Sequence, residues 1–218
     1  MMVPKITFYF DIGSPFSCIA FHVLTTSPVF SGCEIECVPV SLRGLFQLCQ
    51  NTPPIAVKNK FQWINRERIY WARRFNVPMS EAIPEGFPAS TADVQLVLCL
   101  VAREHPDMLV PMVQRLYREY WADGNSNALT EGLSVVLEQE LGPQIAERIL
   151  ALAKNPDAKA ALEENTQEAF GSGAFGLPWL HCAQGGQTGG FWGIDHFGRV
   201  ADFLHLDRGL DGSFGVLL

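Results

Sequence analysis

From Lys60 to about Phe170 every periodic segment has helical spacing, and the strand-like segments all lie outside that stretch. Any sheet must therefore be assembled from the two ends of the chain, with the helical block inserted between them. At the front, alternation over Ile6–Phe10 predicts a strand and the periodic run Cys18–Leu24 predicts a helix. A second strand is expected over Glu34–Leu42; Pro39 within it lacks a donor and argues for an edge position. Asn51-Thr52-Pro53-Pro54 reads as an irregular loop. At the back, the apolar segment around Pro178, a glycine-rich turn over Gln184–Gly190, Phe191-Trp192 and a short helix over Arg199–Asp207 read as strand, turn, strand, helix.

Within the block, Lys60–Phe75 carries Phe61, Ile64, Trp71 and Phe75 and stops before Pro78. Ser90-Thr91-Ala92-Asp93 has the pattern of an N-terminal cap for the helix Val94–Glu104. Pro111 is expected in the first turn of the next helix, Thr130 as a cap, and Pro143 at a first helical position. The last helix is expected over Asp157–Ala169. With the block removed, the order is βαβ-ββα. The fold class is therefore α/β: a thioredoxin-like unit, residues 1–59 and 171–218, with a large all-helical insertion, residues 60–170.

The bulk numbers narrow the function. A net charge of −7 with no Lys/Arg cluster excludes a nucleic-acid partner, which needs a basic face. No apolar run is long enough to span a membrane, and the start carries no leader pattern, so the cytoplasm is the expected compartment. The six cysteines form no Cys-x-x-Cys pair and no metal-ligand set, so free thiols and no metal are expected. Cys18 stands just inside a helix start, where a thiol pKa can fall, although its spacing also suits the first core-facing position.

Chemistry concentrates where the first strand meets the first helix, at Ser14-Pro15-Phe16-Ser17. Thiol oxidoreductases carry Cys-x-x-Cys in such a place; here both positions are serine. Unpaired N–H groups and about half a positive charge at a helix N-terminus stabilise an anion there. With no protein thiolate available, the anion fits an external thiol held by the Ser14 hydroxyl. The plain alternative is that Ser14 only caps the helix, with Pro15 at its first position. Two other segments bear on this choice. Pro178 in Gly-Leu-Pro has the chain position of a cis proline facing the active loop, although an edge-strand proline would read the same way. Asp195 in Gly-Ile-Asp suits a ligand ammonium or, more simply, a helix cap.

Asp11-Ile-Gly-Ser-Pro-Phe-Ser17, the Asn51 loop followed by Lys60, Ala174-Phe-Gly-Leu-Pro178 and Phe191-Trp-Gly-Ile-Asp-His-Phe197 together resemble the kappa-class glutathione transferases. They equally resemble the bacterial 2-hydroxychromene-2-carboxylate isomerases; both are DsbA-like members of the thioredoxin superfamily. The resemblance runs from about Lys5 to Leu206. It implies glutathione as cofactor, with Ser14 contacting its sulfur. The implied glutathione contacts are Pro15, Phe16, Asn51, Lys60, Leu177, Pro178, Ile194 and Asp195. Leu177 would offer backbone groups to the cysteinyl part, Asn51 and Lys60 would serve the glycyl end, and Asp195 would face the γ-glutamyl ammonium.

Three positions depart from the family pattern. Ile194 replaces a small polar residue, removing a side-chain hydrogen bond worth ~1 kcal/mol. Phe16 stands where tyrosine is common. Trp179 and Trp192 are bulkier than expected and either wall a pocket for a planar ligand or belong to the core. The shared chemical step of the family is nucleophilic addition by a thiolate, which needs its pKa lowered by about 2 pH units, worth about 3 kcal/mol. The aromatic excess points to a planar aromatic enone or chromene substrate. General electrophiles conjugated by a transferase, and a non-catalytic thioredoxin-fold binder, are the alternatives. A disulfide oxidoreductase would have to use Cys18 alone. The resemblance also implies a homodimer, on which the apolar C-terminal residues would pack.

Overall fold

The computed structural model describes residues 3–216. Four strands form one mixed sheet in the order β2-β1-β3-β4. β1 (Lys5–Phe10) runs parallel to β2 (Glu34–Pro39) and antiparallel to β3 (Trp179–Gln184), which pairs with β4 (Gln187–Trp192). The alternation of β1 sorts its side chains onto two faces. Ile6, Phe8 and Phe10, with Leu180 and Cys182 of β3, face the larger core with α1 (Pro15–Thr26) and α9 (Phe197–Phe203). Tyr9, Val38 and Trp179 face the other way, against Leu45 of α2 (Leu42–Leu48) and Ala169 of α8 (Pro156–Gly171).

The helices between α2 and β3 are α3 (Lys60–Arg74), α4 (Ala92–Glu104), α5 (Pro106–Tyr117), α6 (Leu133–Leu141), α7 (Pro143–Leu152) and α8. The βαβ-ββα order with its helical interruption is thus the order observed. The insertion does not float beside the sheet. Val94–Val101 of α4 are all buried, and the larger core runs without a break from β1 through α4 and α5 to α7.

Several local expectations change. β2 stops at Pro39 rather than Leu42, because Ser41 caps α2 by accepting from the Gly44 N–H at 3.0 Å. α2 went unforeseen; Gly44 and the prolines behind it masked a seven-residue helix. β2 does lie at an edge. The glycine-rich turn shrinks to Gly185-Gly186, both at positive φ (59° and 83°), and Gln187–Gly190 join β4. α9 starts at Phe197, two residues before the expected Arg199. Pro111 lies inside α5 and not in its first turn, because the helix begins at Pro106. Thr130 does not cap: its hydroxyl donates to the Asn127 carbonyl, and Gly132 takes the cap position of α6. Pro143 does open α7. Leu217 and Leu218, the end of the proposed dimer-packing tail, lie outside the described residues.

Candidate active site

One end of the sheet gathers the segments singled out from the sequence. Tyr9 near the end of β1 is opposite Trp179 at the start of β3, and Trp179 is opposite Trp192 at the end of β4. The β1–α1 turn, the lead-in Leu177-Pro178 and the segment Gly193–Asp195 therefore emerge at the same end. The Leu177-Pro178 bond is cis, as the sequence position implied. The Pro178 carbonyl accepts from the Gly193 N–H at 3.1 Å, which ties the last two segments together.

Ser14 is the N-cap of α1 and only 4% exposed. Its Oγ accepts from the Ser17 N–H at 3.1 Å, so the capping reading is correct as far as it goes. Capping uses a lone pair of that oxygen and leaves its O–H free to donate. Pro15 has no N–H, and the Phe16 N–H has no partner among the described residues. The tip of α1 thus offers two donors, one hydroxyl and one amide, at the positive end of a helix dipole. Phe16 is half-buried against the larger core.

The turn before Ser14 is held by buried polar groups that the sequence reading missed. Gln95 of α4, fully buried, donates through Nε2 to the Phe10 and Val40 carbonyls (2.9 Å each) and accepts from the Ile12 N–H at 3.3 Å. The Trp121 indole donates to the Ile12 carbonyl at 2.9 Å. Asp11 is buried and accepts from the Gly13 and Leu42 N–H groups at 2.9 Å each. Thr91 is at the N-cap position of α4 without a capping side-chain hydrogen bond; its side chain lies beside Gly13 of the turn, where it helps to offset the burial of the Asp11 carboxylate. Burial pushes the Asp11 carboxyl up, and these neighbours offset part of that rise. The one legible signal was Gln95 itself, a polar residue inside an unbroken apolar run.

The remaining site residues fall as follows. Leu177 is buried, and its backbone N–H and carbonyl have no partner among the described residues. Ile194 is 2% exposed, with its side chain in the larger core; its N–H also lacks a partner among the described residues. The substitution that removes a polar side chain therefore adds core packing and leaves the backbone donor in place. Asp195 is exposed. Its Oδ1 lies 3.3 Å from His196 Nδ1, out of line for a hydrogen bond. The same oxygen folds over Gly193, where a Cβ would approach it to 2.6 Å, and Gly193 has φ 84°. Asn51 donates from Nδ2 to the Phe175 carbonyl at 3.1 Å, beside the Leu177 segment. Lys60 is exposed at the start of α3; its neighbour Phe61 shares a cleft with Pro15.

Trp179 is core: it is buried, and its indole donates to Ser172 Oγ at 3.0 Å. The cleft beside Pro15, walled by Phe61, Phe87 and Trp121, has a volume of about 10 Å³ and cannot hold a planar substrate. Cys18 is buried and faces the core, and burial raises its thiol pKa rather than letting the helix terminus lower it. That removes the basis for a Cys18 redox route. Iodoacetamide at mildly alkaline pH is expected to modify Cys49, which is only partly buried, well before Cys18 in the native protein; peptide mass spectrometry reads the order. Early Cys18 alkylation would contradict this placement.

With this geometry in place, comparison with known proteins is informative. The model for the DSBA-like thioredoxin domain matches residues 5–205. The chain belongs to that family. Kappa 1 glutathione S-transferase of Rattus norvegicus is 28% identical over 204 residues, covering 90% of this chain and 88% of that protein. The 2-hydroxychromene-2-carboxylate isomerase of Sphingobium xenophagum is 26% identical over 207 residues, covering 93% and 99%. A solved 2-hydroxychromene-2-carboxylate isomerase superposes with a TM-score of 0.76 at 20% identity, over 92% of this chain and 94% of that one, a likeness of fold. Among the described residues no helix is long and apolar enough to cross a membrane.

Proposed function

We propose that this chain is a glutathione-dependent enzyme that works by holding the glutathione sulfur as thiolate at the tip of α1. The observation that carries this reading is the pair of uncommitted donors there, Ser14 O–H and Phe16 N–H. Charge-assisted hydrogen bonds of this kind, added to a helix terminus, supply the few kcal/mol that thiolate formation near neutral pH requires. Pro15 keeps a competing backbone donor out of the first turn. The unpaired backbone of Leu177 fits the peptide-like cysteinyl part in the manner of an added strand. The Ile194 N–H and the exposed Asp195 carboxylate suit the two charges of the γ-glutamyl end. Asn51 keeps one amide N–H for the glycyl end, and Lys60 offers its ammonium to the same carboxylate.

Bound glutathione would supply a nucleophilic sulfur that adds to an electrophilic carbon and then either stays with the product or leaves. The chain's own part is to orient that sulfur, withhold its proton through Ser14 and keep the β1–α1 turn rigid through Gln95 and Asp11. The small-molecule substrate is thus an electrophile: an aromatic enone or chromene in the isomerase mode, a general electrophile in the transferase mode. The names of both relatives above favour this class. Mass balance decides between the modes. The assay offers the protein a 2-hydroxychromene-2-carboxylate and an activated chloronitrobenzene, each with limiting glutathione. Isomerisation returns the glutathione, and conjugation consumes it. Turnover of neither, with glutathione bound, would favour a binding protein. A homodimer and a cytoplasmic setting belong to the same proposal.

A further inference from the structure

At the site end of the sheet, two large aromatic side chains stand partly in solvent. Trp192 is 44% and Phe175 43% exposed, and their rings meet at 5.1 Å with a 49° tilt. Phe175 also packs on the buried Trp179 at 5.9 Å, so the exposed pair rests on a fixed base. Two glycines make this arrangement possible. A Cβ on Gly176 would lie 2.8 Å from Trp192 Nε1, so the indole rests directly on the backbone that leads into Leu177. A Cβ on Gly190 would lie 2.2 Å from Trp179, so that strand position must stay bare for the base to form. Asn51 holds the Phe175 carbonyl, fixing the pair from the other side. Trp192 immediately precedes Gly193–Asp195, so the surface borders both segments that the glutathione reading uses.

We propose that Trp192 and Phe175 form the stacking surface that receives the aromatic ring of the electrophile, and so set the enzyme's preference for aryl over alkyl substrates. The proposal rests on the glutathione reading for its location. Its physical content is separate: a half-solvated surface of two rings tilted to each other binds another ring by offset contact with one and edge contact with the other, and an alkyl chain gains less there. The enclosed aromatic pocket expected from the sequence is replaced by an open face. Both residues would act on the ring of the substrate and not on its reacting atoms, so they determine specificity and are not catalytic.

The test compares benzalacetone with methyl vinyl ketone, enones that differ by an aryl group, on the wild type, Trp192→Ala, Trp192→Phe and Phe175→Ala. Trp192→Ala is expected to raise KM for benzalacetone about tenfold. Methyl vinyl ketone kinetics and glutathione affinity should stay within about twofold, and Trp192→Phe should recover most of the loss. Equal changes for both enones, or a change in oligomeric state without a change in selectivity, would overturn the proposal. If the wild type binds no glutathione, the thiolate reading fails, and the surface is still tested by direct calorimetry with benzylacetone, the unreactive saturated analogue. Binding weakened about tenfold by Trp192→Ala supports it; equal or absent binding in both proteins overturns it.

Discussion

Ser14→Asp is expected to keep the fold and lose glutathione turnover by two orders of magnitude or more. One oxygen has two jobs. As a cap, Ser14 accepts from the Ser17 N–H, and aspartate caps a helix as well as serine does. As a donor to a thiolate, the hydroxyl is replaced by a negative charge at the place where the anion must sit, and like charges at contact distance are strongly unfavourable. The preserved cap should keep the variant folded, with a lower Tm from the burial of a carboxylate at this 4% exposed position, while activity disappears. Ser14→Ala is the complementary variant. It loses the cap, at a cost of about 1 kcal/mol, and also the donor, a charge-assisted bond worth about 1.5–3 kcal/mol and hence up to about a hundredfold in rate. A simple capping role predicts the opposite order: Ser14→Asp fully active, Ser14→Ala merely less stable. Differential scanning calorimetry and the conjugation rate, measured on both variants, distinguish these outcomes.

The second large effect is expected at Gln95. Gln95→Leu preserves the approximate volume and the apolar surroundings of α4. It strands the Val40 carbonyl and the Ile12 N–H, both satisfied by that one amide, and takes from the Phe10 carbonyl one of its two donors, leaving it the Val40 N–H at 3.0 Å. Each buried unpaired group costs about 1–3 kcal/mol, so a loss of about 3–5 kcal/mol is expected once partial relaxation is allowed. For a chain of this size that corresponds to a fall in Tm of about 10 °C, with two-state unfolding as the working assumption. Because those groups flank the turn that aims Ser14, the variant should also lose turnover at temperatures where it remains folded. Unchanged melting would mean that the turn is held by Trp121 and Asp11 alone.

These two residues show where the sequence was legible and where it was not. Ser14 could be found because its neighbours announce it: an alternating strand, a serine, a proline, then helical periodicity, all local in the chain. The same locality makes β1, α1 and the back hairpin readable, whereas the cis Leu177-Pro178 bond follows only from the place of Pro178 in a thioredoxin-like order. Gln95 lies 83 residues from the Ile12 it serves, and its role exists only after α4 has packed under the β1–α1 turn. Thr91 has the sequence context of a cap and does take the N-cap position of α4, but its side chain makes no capping hydrogen bond and stands beside the distant β1–α1 turn instead. Ile194 reads in the sequence as a lost hydrogen bond; folding puts its side chain in the core and leaves its N–H without a partner among the described residues. The two tryptophans were indistinguishable in the sequence. They are opposite each other and share a face of the sheet; Trp179 is core because it stands on the interior strand β3, and Trp192 is surface because β4 is the edge.

The central claim is that the tip of α1 stabilises an external thiolate. The most direct test is the ultraviolet thiolate absorbance of glutathione bound to the wild type, titrated from acid to alkaline pH and compared with free glutathione. The expected result is a bound thiol that ionises about 2 pH units below the free thiol, whose pKa is near the ordinary cysteine value of about 8.5, with most of the shift lost in Ser14→Ala, which keeps only the Phe16 N–H and the helix terminus. Glutathione that binds with its thiol pKa unchanged, or a shift that survives Ser14→Ala undiminished, would contradict it.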